Sequence, residues 1–185
     1  MSMTGYLEEN RKRLINLLAK IQNSDCPEGW ERVGGIAIRG FIGFGFSKEK
    51  SNLALIVSTS GRSLVNCDSA EKVARDYEEF VGIDDSGIFC EGIGELSEEH
   101  ILIAGQNGGG LPNSTCIGES LICYSPNWPQ HDLYFCDPSA DPLSERFQDG
   151  CIKLRTDFIE AFGFSWCGDY FAVASNCDFD IWKRK

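Results

Sequence analysis

Up to Pro27 the apolar residues of this chain fall at helical spacing, and beyond it they arrive in short runs, each closed off by Gly, Asn, Asp, Ser or Pro. That change of texture constrains the fold more than any other feature. Leu7, Leu14, Leu18 and Ile21 stand seven, four and three residues apart, with Ile15 and Leu17 widening the stripe, which predicts one helix over 4–23. Pro27 disfavours helical geometry in the residue before it, and Gly29 follows. The stripe can pack on its own domain or dock on a partner. After it, strands are expected near 34–38, 42–46, 53–59, 63–67, 72–75, 101–104, 119–125, 132–136, 151–155, 161–164, 170–175 and 178–182. A second helix over 69–80 is the weaker alternative for that segment. Many short strands with frequent turn signals argue for a mainly β chain. At 185 residues, a single domain spanning 1–185 is expected, with the β part covering 30–185.

The last strands carry a recognisable order. Phe164-Ser165 leads to Gly168 at a turn, then to a strand over 170–175 and a second from Asp178 through Ile181-Trp182. This order resembles a WD40-type propeller blade. Gly45-Phe46-Ser47, the run 52–58 and Gly61 through Val65 repeat it, continuing through 66–76 as an outer strand. The Gly-His and Trp-Asp pairs of well-formed WD40 repeats are absent from both segments. At about 40 residues a blade, the chain holds at most four. The resemblance therefore implies a small, irregular propeller-like or layered antiparallel β domain, with first and last units side by side closing sheet edges that would otherwise aggregate. The stretch 29–77, with the later GGGLP, YSPNWP and GFS elements, is similar to a group of small bacterial proteins and suggests the immunity proteins of bacterial toxin systems.

Charge is unevenly distributed. Residues 1–67 carry 9 Lys+Arg against 6 Asp+Glu, whereas residues 68–152 carry 3 against 17. Between Arg75 and Arg146 no cation occurs over 70 residues, where the chain average gives about six. Such a field repels nucleic acid and anionic membrane and attracts a cationic partner; the alternative is a solubilising surface. No run approaches the roughly 18 apolar residues of a membrane span, and the first 20 residues lack a signal-type core, so a soluble cytoplasmic protein is expected.

Familiar chemistry is hard to place. The loop Gly105–Pro112 has no following Lys-Ser/Thr and no helix, which excludes both phosphate-loop fingerprints, and the esterase nucleophile elbow is missing. His100 and His131 are the two histidines, and only Cys116 or Cys123 suggests itself as a dyad partner, without supporting spacing. Asp84 with Asp85, or Asp169 with Asp178 and Asp180, do not match a calcium loop. Nine cysteines without a C-x-x-C pair read as free thiols in a reducing compartment rather than as a zinc site. No catalytic residue, metal or cofactor is expected.

The sequence thus favours a non-enzymatic binding module for a basic protein, most concretely an immunity protein that blocks a cationic toxin such as a nuclease. A propeller-type scaffold is the alternative, and an enzyme with an unfamiliar Cys or carboxylate site the third reading. The binding surface is expected to use Asp84, Asp85, Glu98, Glu99, Asp132, Asp137 and Asp141. Trp128, held between Pro126 and Pro129, serves either as an aromatic anchor or as a core residue.

Overall fold

A computed structural model describes residues 3–78, 82–106 and 109–185. Its elements run α1 (Met3–Leu18), β1 (Trp30–Ala37), β2 (Phe41–Phe46), β3 (Leu53–Ser58), β4 (Gly61–Asn66), β5 (Glu71–Arg75), β6 (Phe89–Glu91), β7 (His100–Leu102) and β8 (Ala104–Gly105). Then follow β9 (Ser120–Tyr124), β10 (His131–Cys136), β11 (Cys151–Asp157), β12 (Ile159–Phe164), β13 (Tyr170–Ser175) and β14 (Asp178–Arg184). The protein is mainly β, every sheet is antiparallel, and one helix precedes the strands. By packing, the chain divides into two compact units: Met1–Pro27 with Thr115–Phe158, and Glu28–Ser114 with Ile159–Lys185.

In the larger unit two meanders are stacked. One sheet has the order β5-β4-β3-β2-β8 and the other β1-β14-β13-β12. β2, β3 and β13 are buried along their whole length, as their uninterrupted apolar runs require. Alternation sorts their side chains onto two faces. Phe44, Phe46, Ala54, Ile56 and Val65 pack against Ala172, Ala174, Phe179 and Ile181 of the second sheet. Ile42, Leu53, Leu55, Val57 and Leu64 pack instead against Cys90, Ile93, Leu96, Ile101 and Ile103, which belong to the β6–β7 hairpin and its flanks. On its far side the second sheet carries an aromatic cluster: Trp30 meets Phe171 at 4.8 Å, and Phe171 stacks on Trp182 at 4.7 Å.

The repeated order seen in the sequence corresponds to repeated structure. β2 through β5 form one meander; β12 through β14 form another, with Gly168 at φ +79° in its first turn. β1 pairs with β14, from Trp30 opposite Arg184 to Ala37 opposite Asp178, so an early strand completes the last sheet. The sheets are not closed, and no propeller ring is formed by the described residues.

The smaller unit contains α1 and the sheet β11-β10-β9. Leu14, Leu18 and Ile21 pack on Tyr134, Cys136 and Cys151, so the lower part of the helical stripe serves its own unit. The helix stops at Leu18 and not near residue 23. The Lys20 and Ile21 amides tighten to carbonyls three residues back, and the backbone at 22–24 is taken by β11: Lys153 N donates to Gln22 O at 2.9 Å and Ser24 N to Lys153 O at 3.1 Å. The alternative helix over 69–80 is also replaced. Ala70 takes φ +55°, and β5 pairs along β4; residues 79 and 80 lie outside the described residues.

Candidate functional site

The segment from Gly82 to Gln106 carries six carboxylates, at Asp84, Asp85, Glu91, Glu95, Glu98 and Glu99, and no Lys or Arg. It forms a ribbon in the larger unit, β6 pairing with β7 from Phe89 opposite Leu102 to Glu91 opposite His100. Its inner face, Cys90 and Ile101, is buried in the core, which forces the alternate residues Phe89 and Glu91 outward. Phe89 remains 39% exposed beside the acidic turn.

The carboxylates of the ribbon differ in how they are engaged. Asp84 folds its own turn: its carboxylate accepts from the Ser86 hydroxyl at 2.7 and 2.8 Å and from the Phe89 amide at 3.2 Å. The Ser86 bond foremost, with the turn amides, holds its pKa below the usual carboxylate value. Asp85 and Glu98 are exposed and enter no ion pair among the described residues. Glu95 is tied to Lys50 at 2.6 Å. Glu99 is a strut, accepting from the Ser47 hydroxyl at 2.5 Å and the Lys48 amide at 2.7 Å. It therefore braces the β2–β3 turn and is not free to meet a partner.

Arg62 positions the ribbon from below. Buried on β4 at 7% exposure, it donates Nη1 to Glu91 O at 3.0 Å, and Nε and Nη2 to Asp76 Oδ2 at 3.0 and 2.5 Å. Neither Arg62 nor the outward aromatic Phe89 was flagged by sequence pattern. The alternation around buried Cys90 is the signal that could have found Phe89.

The remaining expected residues belong to the smaller unit. Trp128 is 76% exposed, which excludes the core alternative. Its neighbours are not acidic: the groove beside it is lined by Asn10, Arg11, Arg13 and Leu14, and Arg11 Nε donates to Pro126 O at 3.0 Å. Asp132 departs from the expectation of a surface carboxylate. It is buried at 8% exposure on β10, where it accepts from Thr156 Oγ1 at 2.5 Å and Tyr134 OH at 3.1 Å. Asp141 is half-buried and accepts from the Leu143 amide at 2.9 Å, while Asp137 is exposed.

Two of the thiols, Cys123 and Cys90, sit in environments that disfavour the thiolate. Burial, then Asp132, pushes the Cys123 thiol up to about 11, the reverse of what an activated nucleophile needs. Cys90 is likewise pushed up to about 11 by burial. His100 and His131 lie in different units. Asp180, one of the sequence's calcium alternatives, is buried and paired with Arg32 at 2.5 Å. Among the described residues no group of three His, Cys, Asp or Glu is placed to hold a metal, and no helix is long and apolar enough to cross a membrane. All nine cysteines are free thiols. Of the Gly105–Pro112 loop, residues 107 and 108 lie outside the described residues. No protein-family model matches the chain, and no curated protein matches it.

Proposed function

We propose that the protein acts by binding a basic protein through the ribbon Gly82–Gln106, most concretely as a cytoplasmic immunity protein that blocks a cationic toxin such as a nuclease. The observation that carries this reading is a ribbon with six carboxylates and no cation, whose outward face also presents Phe89. Unpaired rim carboxylates steer a cationic partner during encounter, and an exposed aromatic supplies apolar contact once it has docked. Asp84 and Asp85 at one end and Glu98 at the other frame that face; Glu95 and Glu99 are already engaged by Lys50 and by the β2–β3 turn.

A propeller-like scaffold is the second reading, favoured by the repeated meanders β2–β5 and β12–β14 with β1. In it the meanders are degenerate blades and the ribbon is one of several surfaces open to partners. The two readings predict different selectivity. Immobilised protein is challenged with extract of its source cell at low salt, alongside the pair variant Asp84→Lys with Asp85→Lys and the control pair Glu8→Lys with Glu9→Lys. The immunity reading expects one basic protein to be retained by the wild type and by the control pair and lost from the Asp84/Asp85 pair. Retention of neutral or acidic partners by all three would favour the scaffold. No basic protein among those retained would refute the immunity reading.

A further inference from the structure

The edge opposite in character to the ribbon lies at β4 and β5. Arg39 from the β1–β2 connection, Lys72 and Arg75 from β5, and Ser58, Ser60 and Ser63 around the β3–β4 turn line a cavity of about 150 Å³. No carboxylate lines it, in a chain where Asp and Glu outnumber Lys and Arg by 28 to 17.

Arg75 is fixed in place without a direct ion pair among the described residues, the Asp76 carboxylate acting on it only at longer, coulombic range. Its Nη1 donates to Ser63 Oγ, its Nη2 donates to Ser60 O at 2.6 Å, and its guanidinium lies 5.1 Å from the Tyr77 ring centroid. The adjacent carboxylate is taken: Asp76 Oδ2 accepts from Arg62 and Oδ1 from the Glu78 amide at 2.8 Å. Ser63 is buried and accepts from Arg75, so its own hydroxyl proton remains to be donated. Lys72 Nζ makes a single long contact, 3.5 Å to Ala37 O. Arg39, Lys72 and Arg75 enter no ion pair among the described residues.

Three cations around one small polar cavity repel one another unless an anion sits among them. Guanidinium, ammonium and hydroxyl donors converging from three elements are the complement of a charged oxygen cluster, and charge-assisted bonds of this kind are the strong ones. The volume is below the roughly 300–1,000 Å³ of pockets that enclose drug-sized ligands, so it suits an anionic group rather than a whole cofactor. We propose that this cavity binds a tetrahedral oxyanion, a phosphate or sulfate group, either free or at the end of a small phosphomonoester. Arg75 and Ser63 form the floor, Lys72 and Arg39 close over the charge, and Tyr77 holds the guanidinium plane. This site is independent of the acidic ribbon and stands or falls without it.

Titration calorimetry of the whole chain at low ionic strength in a phosphate-free buffer tests the assignment, with inorganic phosphate, sulfate, ribose 5-phosphate and ribose as probes. Saturable binding of phosphate with a Kd of about 1 mM or tighter is expected, with competition by sulfate and none by ribose. Lys72→Ala and Arg75→Ala should each weaken it about tenfold, and Lys12→Ala on α1 should leave it unchanged. Because Arg75 also braces the β4–β5 edge, the exposed pair Arg39→Ala with Lys72→Ala serves as the variant that leaves the fold intact, checked by circular dichroism. Ribose 5-phosphate binding about tenfold tighter than phosphate would identify a phosphomonoester as the source of the anion, and equal affinities a free oxyanion. No saturable binding up to about 20 mM phosphate, or equal weakening by Lys12→Ala, would overturn the proposal.

Discussion

Arg62 shows how much of the larger unit depends on single side chains. Its three hydrogen-bonding nitrogens join β4, Asp76 and the Glu91 carbonyl, and removing it takes both donors from Asp76 Oδ2 and the guanidinium donor from Glu91 O. Losing one member of a buried pair costs about 3–5 kcal/mol; because Asp76 keeps 21% of its side chain exposed, Arg62→Met should cost about 2–3 kcal/mol in urea unfolding. A change below about 0.5 kcal/mol would show that the ribbon is held by the hydrophobic contacts of Cys90 and Ile101 alone. Thiol accessibility is a second prediction at this scale. Cys116, Cys167 and Cys177 are exposed, so native protein should react promptly with a thiol reagent at these three, and Cys67, Cys90, Cys136 and Cys151 only after unfolding. Acid stability is a third. Lys183 foremost, against burial, and then Tyr170 and Asn52 hold the Asp68 pKa below its usual value, and the Glu78 amide and Arg62 do so for Asp76. A carboxylate whose folded pKa lies below the unfolded value of about 3.9 contributes its stability fully above that pH and loses it as pH falls through the lowered value. The urea midpoint should therefore fall on going from pH 7 to about pH 3, and Asp68→Asn should flatten part of that fall. An unchanged pH dependence in Asp68→Asn would contradict the assignment.

At the scale of elements, close backbone approach sets the strictest requirements. A Cβ on Gly45 of β2 would lie 2.0 Å from Leu102 O and 2.8 Å from Ile101 Cγ2, so Gly45→Ala must push the β7 edge away. Overpacking of this kind costs about 1–3 kcal/mol, and the loss should appear together with faster amide exchange across 89–102. Wild-type stability in Gly45→Ala would mean that the two backbones can separate freely. The strands themselves were legible because runs such as Leu53–Ser58 and Tyr170–Ser175 are continuous and apolar, with turn formers at both ends. β6 was not, because Phe89–Glu91 is three residues long with only its centre buried. Nor was the early end of α1, which is decided by β11 more than a hundred residues away. The oxyanion cavity was illegible for the same reason: Arg39, Ser63 and Arg75 carry no common motif and meet only once β2, β3, β4 and β5 have paired.

At the scale of the whole molecule, a formal net charge of −11 coexists with two locally opposite features in one unit, an acidic ribbon and a cation-lined cavity. The acidity of the first is legible in the sequence, since its six carboxylates fall within residues 84–99 with no Lys or Arg among them. Charge arithmetic assigned Asp132 to the same surface wrongly, because burial on β10 and the Tyr134 and Thr156 hydroxyls are set by tertiary packing that charge counting does not see. Trp128, expected as an aromatic anchor of the binding surface or as a core residue, is exposed and stands beside Arg11 and Arg13. On the proposed function, the long-range field of the ribbon governs encounter with a basic partner. Screening over about 10 Å at 0.1 M salt makes that field measurable as a rate. The most direct test is the association rate constant of the captured basic partner as a function of ionic strength, for the wild type, for Asp84→Lys with Asp85→Lys, and for Glu8→Lys with Glu9→Lys. Steering by the ribbon requires a rate that falls at least about tenfold between about 0.02 M and about 0.5 M salt, and an Asp84/Asp85 pair that is slow and nearly salt-independent while the Glu8/Glu9 pair follows the wild type. Equal slowing by the two pairs, or a wild-type rate indifferent to salt, would contradict it.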